Sequence, residues 1–71
     1  MEVGMIQEKV GQRIRELRGQ LGISQEELAA RANLDRTYIT SVERGKRNIS
    51  IGTLEKIIVQ LNCTMHEFFN F

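Results

Sequence analysis

The chain has no proline and no tryptophan, and it has one cysteine, one histidine and one tyrosine. With no proline, nothing in the sequence forces a break in a helix. Strand-like alternation of apolar and polar residues is also missing, so the expected class is all-α. The lone cysteine, Cys63, excludes an internal disulfide and points to a reducing, cytoplasmic setting. No apolar run approaches membrane-spanning length and no signal-peptide pattern appears, so no membrane partner is expected. A catalytic constellation is missing too. His66 and Cys63 stand three residues apart with no further metal ligand nearby. Ser24 and Ser41 have no base in view, and there is no glycine-rich phosphate loop. The expectation is therefore a binding protein, not an enzyme, with no cofactor, no metal and no small-molecule ligand.

Net charge is scarce as well, only +1 over 71 residues. That length allows one domain, residues 1–71, with a core small enough to need close helix packing or self-association. Charge distribution says more than charge total. Arg36, Arg44, Lys46 and Arg47 cluster in residues 35–47 against Asp35 and Glu43, while the flanking stretches 24–34 and 48–71 are slightly acidic.

The cationic cluster lies on, and in the loop just after, the second of two short predicted helices, which span residues 25–44. Ser24 and Glu27 have capping-box spacing, with Ile23 and Leu28 placed for a hydrophobic staple. Asn33 tolerates a left-handed backbone, so it can end the first helix and turn the chain, with Leu34 plugging the turn. Asp35 caps the second helix. Tyr38, Ile39 and Val42 fall on one side of it, and Arg36, Thr37, Thr40, Ser41 and Arg44 on the other. Gly45 supplies the φ > 0 stop. An outward face of arginine and small hydroxyls suits DNA base edges, because Arg forks onto guanine and Ser/Thr donate or accept. Arg36, Thr37, Thr40 and Ser41 are the candidate base readers. Arg44 and the loop residues Lys46, Arg47 and Asn48 are candidate phosphate contacts. Tyr38 can bring its hydroxyl to a phosphate or simply pack its ring.

Residues 1–5 carry little pattern. Ile6, Val10, Ile14, Leu17 and Leu21 then trace one apolar helix face ending near Gly22. Ser50 caps a fourth helix over 51–61, whose apolar side is Ile51, Leu54, Ile57, Ile58 and Leu61, with Val59 facing elsewhere. Asn62 and Cys63 read as a turn, and Thr64 with Glu67 as a second capping box opening a last helix over 64–70. This tail carries more apolar side chains than one small domain can bury. Ile51, Val59, Met65, Phe68 and Phe69 are therefore expected to pair with a second copy.

The runs GQRIRELRGQLGISQEELAARANL, RTYITSVERGKRN and TLEKIIVQLNCTMHEFF, residues 11–69, resemble the helix-turn-helix family of phage repressors and Cro. Within it, the RTYI…ERGKRN run most resembles the small controller proteins of restriction–modification systems. Two positions depart from the family pattern: Asn33 where glycine is usual, and Ile49 where proline is common. The resemblance implies a five-helix, lambda-repressor-like fold. It also implies a homodimer on double-stranded DNA at a palindromic operator, and control of a restriction–modification operon. By the same resemblance, Arg18 and Glu43 form a partly buried ion pair, and Gln25 meets a phosphate at the start of its helix. Activation would need a contact with RNA polymerase, for which Glu26 and Glu27 are the acidic candidates. The alternative on the same fold is an antitoxin-type protein-interaction module with autoregulatory DNA binding.

Overall fold

The computed structural model describes residues 3–71 and consists of five helices: α1 Val3–Leu21, α2 Gln25–Ala32, α3 Arg36–Glu43, α4 Ile51–Gln60 and α5 Met65–Phe68. The four turns between them share one construction. Each contains a residue with left-handed φ: Gly22 (70°), Asn33 (56°), Gly45 (71°) and Asn62 (59°). Each ends on a side chain that accepts a backbone N–H of the next helix: Ser24, Asp35, Ser50 and Thr64. The residue just before each cap, Ile23, Leu34, Ile49 or Cys63, packs against the core. The chain reverses at the left-handed residue, the apolar plug anchors the turn, and the cap satisfies orphan donors of the next helix. The first three helices also close with paired backbone bonds. Examples are Leu34 N to Ala29 O (2.8 Å) and Lys46 N to Ser41 O (3.0 Å).

One hydrophobic core runs through all five helices. Ile14, Leu28, Ile39, Ile57 and Phe68 are completely buried in it, with Val10, Ala29, Ala32, Val42, Leu54, Ile58 and Leu61 around them. The small Ala29 and Ala32 let α2 approach its neighbours closely. α3 is held between α1 and α2, and α4 and α5 close the opposite side.

Several expectations need correction. α1 starts at Val3, not Ile6, since adding a turn to a nucleated helix costs little. Met1 and Glu2 lie outside the described residues. The helix is about 28 Å long at the usual rise, close to the 32 Å long dimension of the molecule. Its ends therefore overrun the core, and Ile6 and Leu21 are exposed. α5 is a single turn, shorter than the expected 64–70. Its capping box is present with both arms, Thr64 to Glu67 and back. In α2 only the Ser24 arm forms (3.0 Å), because the Glu27 carboxylate pairs with Arg31 one turn on (3.0 Å).

The expected pairing residues divide. Phe68 is fully buried in its own chain, edge-on to Phe69 (5.0 Å between centroids), and Met65 is half-buried against the core. Phe68 is closed off from a second copy, because α5 folds back as the lid of the monomer core, while Met65 keeps part of its surface exposed. Ile51, Val59 and Phe69 are exposed, as is Phe71.

Candidate nucleic-acid interface

α3 turns Ile39 and Val42 into the core and Arg36, Thr37, Thr40, Ser41 and Arg44 toward an open cleft. The cleft is also lined by Arg15 and Arg18 of α1, Gln25 of α2, and Glu43. Asp35 caps the helix. Its carboxylate accepts from the Thr37 amide (2.8 Å) and the Thr37 hydroxyl (2.6 Å). These two bonds, the hydroxyl first, hold the Asp35 carboxyl below the usual carboxylate range.

Beneath this face lies a network that joins three helices. Arg18 grips Glu43 in a fork, Nε to Oε2 at 2.8 Å and Nη2 to Oε1 at 3.0 Å, while its Nη1 donates to the Ile23 carbonyl (3.0 Å). The Glu43 side chain is 4 % exposed and Arg18 16 %. The bond to Glu43 pushes the guanidinium pKa further up, against the opposing effect of burial. Gln25 Nε2 donates to the same Glu43 oxygen (3.0 Å), and Gln25 Oε1 accepts from the Thr40 hydroxyl (2.7 Å). One expected base reader, Thr40, and one expected phosphate contact, Gln25, are thus tied inward. Thr40 is half-buried, and the Gln25 amide spends one N–H and its oxygen inside the protein, leaving a second N–H for a phosphate.

Arg36, Arg44, Lys46, Arg47 and Asn48, on α3, its cap and the loop that follows, are all exposed. The Arg47 guanidinium lies 4.5 Å from the centre of the Tyr38 ring, within cation–π range. The Tyr38 ring is half-buried, so it both packs on the core and carries the loop arginine.

Three residues with a role in this geometry were not legible as such in the chain. Arg15 reads as an ordinary surface residue, yet it lines the cleft beside Arg36 and Arg44. Arg13, also read as surface, donates to the Phe68 and Glu67 carbonyls (2.8 Å each) and caps the end of α5, while bonding Glu16. Gly11 is buried where α1 crosses the end of α3. A helix periodicity places all three on α1 without revealing which neighbour each meets.

Among the described residues no group of three or more His, Cys, Asp or Glu side chains could hold a metal. No helix is long and apolar enough to cross a membrane. Burial, and then the Glu67 charge, pushes the Cys63 thiol pKa up, which disfavours a nucleophilic thiolate.

The family profile described as Helix-turn-helix matches residues 14–68. The chain belongs to the helix-turn-helix family. In this helix-turn-helix protein the match begins within α1 and extends through α2, α3, α4 and α5. A curated relative, the control protein C.MunI of a Mycoplasma species, is 44% identical over 63 residues, covering 87% of this chain and 85% of that protein. The solved restriction–modification controller protein C.AhdI of Aeromonas hydrophila is 45% identical, with a TM-score of 0.87 over 92% of this chain and 98% of that one. A second controller, C.Esp1396I, solved as a tetramer in complex with its natural 35 base-pair operator, is 39% identical. Its TM-score is 0.85, over 97% of this chain and 88% of that one.

Proposed function

We propose that this helix-turn-helix protein is a sequence-specific DNA-binding regulator of transcription, acting in the cytoplasm as a homodimer that controls a restriction–modification operon. The observation that carries the reading is the outward face of α3. Its exposed arginines and its hydroxyls line a cleft with no free carboxylate, since Glu43 is tied to Arg18 and Gln25. In this reading α3 enters the major groove and Arg36, Thr37, Thr40 and Ser41 meet base edges. Gln25, Tyr38, Arg44, Lys46, Arg47 and Asn48 hold phosphates, joined by Arg15. The exposed Ile51, Val59 and Phe69 support pairing of two copies. Pairing on a two-fold axis requires a roughly palindromic operator with half-sites about 10 base pairs apart, or a multiple of that. Glu26, exposed at the start of α2, is the acidic group available to RNA polymerase, since Glu27 is engaged by Arg31.

Selection of bound duplexes from random DNA, with footprinting at two salt concentrations, tests this. The expected result is a two-fold symmetric site bound with affinity that falls steeply as salt rises. Salt-insensitive, sequence-blind binding together with a tight stoichiometric protein partner would replace this reading with an antitoxin-type interaction module.

A further inference from the structure

Thr37 and Thr40 differ from a free hydroxyl in one respect: the protein already uses their protons. The Thr37 hydroxyl donates to the Asp35 carboxylate at 2.6 Å. The Thr40 hydroxyl has two acceptors in reach, Gln25 Oε1 at 2.7 Å and the Arg36 carbonyl at 3.1 Å. For Thr40 the direction of this bond is set from two residues away. A carboxylate forked by a guanidinium has no proton to give, so Glu43 only accepts. The Gln25 amide must therefore turn its NH₂ to Glu43, which turns its oxygen to Thr40. Facing an oxygen, the Thr40 hydroxyl must donate to it. The chain Arg18–Glu43–Gln25–Thr40 runs in one polarity, from a partly buried ion pair to the surface of the reading helix.

A hydroxyl that has spent its proton offers only lone pairs to the cleft. In the major groove the amino groups of adenine (N6) and cytosine (N4) are donors, whereas guanine O6, thymine O4 and purine N7 are acceptors. We propose that Thr37 and Thr40 are acceptor-only readers that take the exocyclic amino group of adenine or cytosine and disfavour guanine and thymine. In this assignment Gln25 and Glu43 are positioning residues for Thr40. The face then divides its labour: Arg36 supplies donors for guanine, and the two threonines supply acceptors. This rests on α3 being the reading helix, and the experiment separates the two claims.

Binding of the full-length protein is measured on its selected operator and on duplexes with single amino groups deleted, purine for adenine and 2-pyrimidinone for cytosine. Wild type is compared with Thr40→Val, Thr40→Ser, Thr37→Val and Arg36→Ala. The expected result is one amino deletion per threonine that weakens wild-type binding roughly 3- to 10-fold, the size of one neutral hydrogen bond. The matching valine variant should be indifferent to that deletion, while Thr40→Ser should remain sensitive. Thr37 is exposed, so Thr37→Val decides the matter even if Thr40→Val fails to fold. Two outcomes overturn the proposal: the base coupled to either threonine proves to be guanine or thymine, or no amino deletion in the half-site affects wild type. If instead Arg36→Ala leaves both affinity and base preference intact, the reading-helix assignment itself fails, and this inference with it.

Discussion

Gly11 lies directly against the last turn of α3: a Cβ placed on it would stand 2.4 Å from the Val42 carbonyl oxygen and 2.7 Å from that of Glu43. The backbone of α1 therefore sets the depth at which the end of α3 rests. Gly45, one residue past the α3 cap, meets the same face of α1 about one turn earlier. Its Cβ would stand 2.8 Å from Glu8 Cγ, at a φ of +71°. Gly11→Ala should cost about 1–3 kcal/mol of stability, the usual range for overpacking a tight site. It should also weaken DNA binding without touching a DNA-facing group. Gly19→Ala is the internal control, since nothing lies within 4 Å of its added Cβ. It should stabilise α1 by about 0.5–1 kcal/mol. Urea unfolding of the two variants measures both signs, and a neutral Gly11→Ala would show that the contact can relax.

Arg18 and Glu43 should behave asymmetrically on removal. Arg18→Met leaves a carboxylate 4 % exposed without its partner, a loss of about 3–5 kcal/mol for breaking a buried pair. Arg18→Met with Glu43→Leu should recover most of that loss, because two desolvation penalties vanish together with the attraction. The double variant is nevertheless expected to read DNA poorly, since Gln25 and Thr40 lose their orientation. A double-mutant cycle by urea unfolding, with a binding assay alongside, checks both parts. Equal losses in single and double variants would contradict the account.

Phe68 and Ile51 should separate folding from association. Phe68→Ala is expected to lower stability by about 3–5 kcal/mol, by an amount independent of protein concentration, since the ring is wholly inside its own chain. Ile51, 77 % exposed, should tolerate Ile51→Asp within about 0.5 kcal/mol at the level of the monomer. Sedimentation should then show a shift from dimer to monomer. Unchanged association for both Ile51→Asp and Val59→Asp would place the pairing surface elsewhere.

Arg36 and Arg47 should differ in kind rather than in size. Arg36→Ala is expected to cost roughly 1–3 kcal/mol of binding and to relax preference at one base pair. Arg47→Ala should weaken all sequences alike and reduce the salt slope by about 1. Titrations on specific and random duplexes at several salt concentrations distinguish them. A sequence-dependent loss for Arg47→Ala would mean that the loop reads bases.

Acid should open the helix starts before the core. Asp35 and Glu67 are held below the ordinary carboxylate range, Asp35 by the Thr37 hydroxyl and amide, Glu67 by the Thr64 amide and then its hydroxyl. Both folded-state values are depressed. Their contribution is therefore complete above the unfolded carboxylate pKa and is lost as pH falls through the lower folded one. Amide exchange at Thr37 and Thr64 during an acid titration should rise in that window while Ile14 and Ile57 stay protected. Protection that grew on acidification would reverse the sign and refute the assignment.

Helix caps, turns and polarity were legible in the chain because their signals are local, whereas the start of α1 and the length of α5 were not. Ser24, Asp35, Ser50 and Thr64 act within three residues of themselves, and Asn33 and Gly45 set a backbone angle at their own positions. Helical spacing was enough to divide α3 into a buried side and a cleft side. The ion pair between Arg18 and Glu43 was anticipated by resemblance alone, since no pattern relates residues 25 apart.

By itself, the sequence determined the five helices, their caps and the cationic character of one face, since each follows from neighbours a few positions away. Tertiary structure alone decided which apolar side chains close the monomer. It sent Phe68 inward and left Ile51 and Val59 outside. It alone set Gly11 apart from Gly19 and Gly52 as a contact, and selected Arg13 as the cap of α5 and Thr40 as a hydroxyl whose proton is taken. The physical reason is that these outcomes depend on which surfaces meet across long stretches of chain. Periodicity says that a residue lies on a face, but only the packed fold says what stands opposite it.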